Sequence, residues 1–161
     1  FVVLYKSLVR SQLEYGTVVW NPYRIGLIKA IERVQRRASK IPLVCKGLNY
    51  SERLKILRLP SLMSRRKRTD MITVFQLFNE DLEADCLGLI KKSPVFCTRG
   101  NSRKLILGNF KQEARKYFFS NRVVQHWNSL PDSIVLARNV QEFKNRLDDE
   151  WASTMYEWNI N

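Results

Sequence analysis

Residues Leu27 to Lys40, LIKAIERVQRRASK, carry a hydrophobic period that suits a helix and little else. At about 100° per residue, Leu27, Ala30, Ile31, Val34 and Ala38 fall on one side, with Ile28 and Ile41 at its margins. Lys29, Arg33, Arg36, Arg37 and Lys40 gather in an arc of roughly 100° on the other. The expectation is that the apolar side docks on a core and the basic side faces a partner.

Charge says what kind of partner to look for. The 161 residues carry a formal net charge of +13, which favours an anionic partner, nucleic acid before an anionic membrane surface. The excess is clustered. Positions 24–68 hold fourteen Lys and Arg against Glu32 and Glu52, and positions 91–122 hold nine against Glu113. Clustering favours a binding surface over general solubilisation. An apolar content of 45% leaves ample material for a core and argues against disorder.

The rest of the chain reads as a helical scaffold. A first helix runs to about Tyr15, where Gly16 is a plausible stop. Pro42 ends the basic helix, because a residue before proline is pushed out of the α region. Asn49 and Glu52 make a capping box for a short helix that turns Leu54 and Leu57 inward. After Leu59-Pro60-Ser61, a longer helix from Leu62 to about Asn79 carries Met71, Val74, Phe75 and Phe78 at helical spacing. Its first half contains Arg65-Arg66-Lys67-Arg68; four consecutive cations cover every side of a helix, so at least one must lie near the core and snorkel outward. The same run has the composition of a nuclear-import signal, although such signals favour flexible segments.

Glu80 to Asp85 reads as a solvated acidic loop. An extended patch, with a hairpin turn at about Thr98 to Ser102, is expected near residues 94–108. Helix returns at about Glu113, with Phe119, Val123, Trp127 and Leu130 down one side until Pro131. Asn139 and Glu142 form a second capping box before a last helix that buries Val140, Phe143, Leu147 and Trp151. The expected fold is therefore mainly α: a compact helical, thumb-like domain, with residues 1–90 as the basic-faced helical region and 91–161 as a connector.

Catalytic chemistry finds little support. His126 lies beside Trp127 with no acid or nucleophile placed to work with it, so a structural role is favoured. Asp148 and Asp149 adjoin one another inside an amphipathic helix, where neighbours about 100° apart diverge, and they are rejected as a metal pair. Cys45, Cys86 and Cys97 fit neither a zinc site nor a disulfide framework; free thiols in a reducing compartment are expected. No signal peptide or membrane span is evident, since Lys6, Arg10 and Glu14 interrupt the apolar start. The chain opens at Phe1 already in helical pattern, which suggests a piece of something longer.

Several runs carry a family resemblance when taken in order. They are Leu4-Tyr5-Lys6-Ser7-Leu8-Val9-Arg10, Leu13-Glu14-Tyr15-Gly16 with Val19-Trp20-Asn21-Pro22, and Ile31-Glu32-Arg33-Val34-Gln35-Arg36-Arg37-Ala38. Tyr50-Ser51-Glu52-Arg53-Leu54, Leu57-Arg58-Leu59-Pro60-Ser61-Leu62, and Arg65-Arg66 with Asp70-Met71-Ile72 come next. Near the end stand Phe118-Phe119-Ser120-Asn121-Arg122-Val123-Val124, Trp127-Asn128-Ser129-Leu130-Pro131 and Phe143-Lys144-Asn145-Arg146-Leu147-Asp148. This order resembles the region after the polymerase palm in reverse transcriptases of non-LTR, LINE-type or jockey-like retrotransposons. Departures are Ser11-Gln12 and Gly16, where family members often have a proline-histidine pair and a cysteine, and the variant run Ala38-Ser39-Lys40-Ile41-Pro42.

The resemblance implies a thumb and connector that is not an enzyme by itself, because the family's two-aspartate, Mg²⁺-binding site lies upstream of the matched part. It implies RNA template and DNA primer as partners, the palm of a parent RNA-directed DNA polymerase as a neighbour, and a nuclear and cytoplasmic life in a eukaryotic host. No cofactor, small-molecule substrate or membrane is expected for the fragment. Lys29, Arg33, Arg36, Arg37 and Lys40 are the expected phosphate contacts on one surface, and Arg65, Arg66 and Arg68 on another. The alternative is a stand-alone nucleic-acid-binding or protein-interaction module from a decayed or co-opted element.

Overall fold

The computed structural model describes residues 1–79, 90–94 and 100–158. The chain is mainly helical, as the periodicity predicted. It forms two compact units, Phe1–Arg66 with Trp151–Asn161, and Lys67–Glu150. They part at Arg66 and again after Glu150.

The first unit opens with a helix of mixed pitch: α1 (Val2–Leu4), a π segment (Tyr5–Arg10) and α2 (Ser11–Glu14). Hydroxyls widen this turn. Ser7 Oγ donates to the carbonyl of Val3, and Ser11 Oγ to that of Ser7, competing with the backbone ladder. Gly16 takes a left-handed φ of +62° and closes the following turn, accepting from the N–H groups of Val19 and Trp20.

Helix α3 (Ile25–Ala38) follows, and a 3₁₀ turn (Leu43–Cys45) leads to α4 (Tyr50–Leu57). The expected capping box is present: Asn49 Oδ1 accepts from the N–H of Glu52, whose carboxylate accepts from the N–H of Asn49. Arg58 ends α4 in the left-handed region, and the N–H of Leu59 reaches back to the carbonyl of Leu54. Tyr5, Cys45, Tyr50, Leu54, Leu57 and Leu59 make the core, joined by Val2, Ala38, Tyr156 and Trp158.

The packing of α3 corrects the wheel. Its buried residues are Glu32 and Gln35, together with Ser39 just past its end, while Leu27 is 55% and Val34 39% exposed. Glu32, Gln35 and Ser39 lie within roughly 60° of one another, beside Ile28, on the seam between the apolar and basic faces. Hydrogen bonding accounts for that rotation. Gln35 accepts from Tyr5 Oη at 3.0 Å and donates to the carbonyl of Pro60 at 3.0 Å and to Tyr50 Oη at 3.3 Å. Glu32 accepts from Tyr50 Oη at 2.5 Å and from the N–H of Leu62 at 3.0 Å. Two buried phenols, a buried N–H and a half-buried carbonyl are satisfied by one polar seam, which the apolar stripe could not do.

Helix α5 (Leu62–Asn79) begins in the first unit and continues in the second. Met71, Val74 and Phe75 are buried there as predicted, and Arg66 is the cation of the basic run that goes inside. The expected single helix from Glu113 is two, α6 (Glu113–Lys116) and α7 (Phe119–Asn128), because Phe118 adopts an extended conformation between them. Short α8 (Asp132–Val135) precedes α9 (Val140–Glu150). Asn139 caps α9 through the N–H of Glu142, but the Glu142 carboxylate reaches the N–H of Arg138 rather than that of Asn139.

Aromatic stacking fills the second unit: Phe75 on Phe143 at 4.3 Å and Phe78 on Trp127 at 5.2 Å between ring centroids. The extended patch is present as an antiparallel bridge between Lys92 and Leu105; the turn at Thr98 lies outside the described residues, as does the acidic loop Glu80 to Asp85. Side-chain amides fasten the patch to α7. Asn128 exchanges two 2.9 Å bonds with the backbone of Leu105, mimicking a neighbouring strand. Asn101 donates to the carbonyls of Trp127 and Leu130, at and beyond the helix end where the i+4 ladder stops.

Candidate nucleic-acid interface

With the seam of α3 turned inward, its predicted cations Lys29, Arg33, Arg36 and Arg37 are exposed, and so is Lys40, which lies two residues past the helix end rather than on the helix. None of them forms an ion pair among the described residues. The helix contains one acid, Glu32, and it is buried. Burial raises its pKa, opposed by the Tyr50 hydroxyl, the Leu62 N–H and the Arg66 charge. The basic face therefore has no carboxylate of its own helix to neutralise it.

Local packing shapes this face. The Arg36 guanidinium lies 4.9 Å from the centroid of the Tyr50 ring, a cation–π contact that orients it. Tyr50 is itself held by Glu32 and Gln35, so the buried seam positions the exposed charge. Lys29, Arg33 and Arg36 line a hollow of about 140 Å³ with Glu32 and Trp158. Its volume exceeds that of several water molecules, at about 30 Å³ each. Arg36 and Arg37 also occupy the last turn of α3, where the helix dipole favours cations.

The second predicted set is employed differently. Arg65 makes a bidentate pair with Glu14, both bonds 2.8 Å. Arg66 is 3% exposed and donates from Nε to Asn21 Oδ1 at 3.1 Å. Arg68 makes a bidentate pair with Asp148, at 2.5 and 2.8 Å. The guanidinium fork that suits phosphate suits carboxylate equally, and in the folded chain these three arginines hold elements of their own unit. The candidate interface contracts to the α3 face.

Gln35, Tyr5 and Tyr50 carry no signal in the wheel that would mark them as supports. The one clue is a pair of polar residues, Glu32 and Gln35, at i and i+3 inside an otherwise two-faced pattern. Elsewhere, His126 is pushed below its usual pKa by burial and by the Lys67 charge, with Asp70 acting the other way. Asp148 is paired with Arg68 and Asp149 is exposed. Among the described residues no cluster of three or more His, Cys, Asp or Glu is arranged to hold a metal ion, and no helix is long and apolar enough to cross a membrane. Comparison with protein-family models, curated proteins and solved structures found no match to this chain.

Proposed function

We propose that this chain grips a nucleic-acid duplex through phosphate contacts, as the non-catalytic thumb and connector of a non-LTR retrotransposon RNA-directed DNA polymerase. The observation that carries the reading is the α3 face: four exposed cations on one side of a helix whose only acid is buried, with exposed Lys40 just past its end. Such a face binds by charge and counterion release without reading bases, which suits an enzyme that must slide along its template and primer. The ordered runs from Leu4 to Asp148 support the choice of parent, whose palm would supply the Mg²⁺ site. Bare apolar side chains in the first twenty residues fit a neighbouring palm surface: Val3, Leu4, Leu8, Tyr15 and Val19 are each more than 60% exposed. A nuclear and cytoplasmic location follows from the same parentage.

The test is a salt titration of binding to an RNA–DNA hybrid duplex. Replacing Arg33, Arg36 and Arg37 together by Gln should weaken binding at every sequence. It should also flatten the log–log salt slope by up to about 2.7, at roughly 0.9 for each phosphate no longer neutralised. Unchanged affinity and slope would remove α3 from the interface. A reading frame upstream of Phe1 that encodes a palm with its Asp-Asp turn would support the polymerase parent; a frame without one would favour the stand-alone module.

A further inference from the structure

The second unit holds a separate hollow of about 460 Å³, walled in part by Leu107, Phe110, Tyr117 and Val124, with Lys116 and His126 also in its lining. That volume lies within the roughly 300–1,000 Å³ of ordinary ligand pockets and accommodates a single nucleotide. Its surroundings are basic and aromatic together. Lys111, Arg115 and Lys116 are exposed, and Glu113 is the one acid between positions 91 and 122. Phe110 is 37% and Phe118 41% exposed. Arg115 lies 5.0 Å from the Phe118 ring centroid and Lys116 5.5 Å from that of Tyr117.

One wall is held firmly. Arg122 makes a bidentate pair with the buried Asp70, at 2.8 and 2.9 Å, and donates to the carbonyl of Tyr117 at 3.4 Å. Burial and the Lys67 charge favour neutral His126, whose imidazole has one donor and one acceptor to offer a polar edge. Apolar walls, ring faces and nearby cations are the components from which single-strand sites are made. A base still paired in a duplex cannot enter such a hollow, whereas an unpaired base can.

We propose that this hollow binds one unpaired nucleobase of a single-stranded nucleic acid, stacked on Phe110, with Lys111, Arg115 and Lys116 holding the adjoining phosphates. The site is independent of the α3 face, and the two are tested separately. The 161-residue chain with Arg33, Arg36 and Arg37 replaced by Gln reduces the α3 contribution, which is the same for two strands of equal charge. Its binding to a labelled ten-nucleotide oligothymidine and to an abasic strand of equal length and charge is then measured by fluorescence anisotropy. The base-containing strand should bind at least about fivefold more tightly, as stacking of one base provides. Phe110→Ala should erase that preference, and Lys116→Gln should weaken both strands alike. Equal binding of the two strands would overturn the proposal, as would a preference untouched by Phe110→Ala. So would an apolar dye that fills the hollow, is lost with Phe110→Ala, and is not displaced by the oligothymidine; that outcome would assign the hollow to an apolar ligand.

Discussion

The rotation of α3 can be tested by two variants whose ranking depends on which face is inside. Gln35→Leu keeps the volume of a fully buried side chain and removes its amide. The Tyr5 hydroxyl, on a residue only 3% exposed, then loses its acceptor, an effect of about 1–3 kcal/mol. The Pro60 carbonyl loses a donor but is half-buried and can turn to water, so its contribution is below about 1 kcal/mol. Tyr50 keeps its stronger bond to Glu32. Burying the leucine atoms returns about 1 kcal/mol. The net loss is about 2 kcal/mol, or roughly 4–8 °C in Tm for a chain of this length.

The companion variant, Leu27→Gln with Val34→Gln, changes two exposed residues and should stay within about 1 kcal/mol of the parent. If the apolar stripe were the docking face, the same pair would instead forfeit about 1.5–3 kcal/mol for each side chain. Urea unfolding followed by far-UV circular dichroism gives both values. A larger loss for Leu27→Gln/Val34→Gln than for Gln35→Leu would show that the polar seam does not set the helix orientation.

Two further outcomes follow from buried charge. Arg122→Gln leaves Asp70, whose side chain is 7% exposed, without its bidentate partner and should cost about 3–5 kcal/mol by urea unfolding; adding Asp70→Asn should recover at least half, and no recovery would mean that Arg122 acts by packing alone. For Glu32, burial raises the folded-state pKa above its ordinary 4.5, so the folded chain holds that proton to higher pH than the unfolded one. Its contribution is then fullest below about pH 4.5 and is lost as pH rises through the raised value; Glu32→Gln should abolish that part of the Tm–pH profile, and parallel profiles would contradict the burial of the carboxyl.

Sequence reasoning succeeded where one residue type answers to local geometry. The capping box at Asn49 and Glu52, the inward face Met71–Val74–Phe75, and the stripe Phe119, Val123 and Trp127 all depend on spacing at or within a single helix. The break at Phe118 was not legible, because Glu113 to Asn128 has no proline or glycine to announce it. It is settled instead by Asn121, whose amide takes the carbonyl of Arg115 across the kink at 2.7 Å. The pairing of Arg65 and of Arg68 was hidden for a similar reason: Glu14 lies 51 residues from the first and Asp148 80 residues from the second.

The candidate interface divides along the same line. That α3 is a helix, and that its four cations share one arc, is set by the order of residues from Lys29 to Arg37 and needs nothing beyond the chain itself. Which other arc is buried was left to tertiary structure. Two tyrosine hydroxyls, from Tyr5 and Tyr50, had to find partners once they were taken out of water, and Glu32 and Gln35 supply them. An unmatched polar group inside outweighs a few exposed methyl groups outside, so the helix turned its polar seam to the core and left Leu27 and Val34 at the surface.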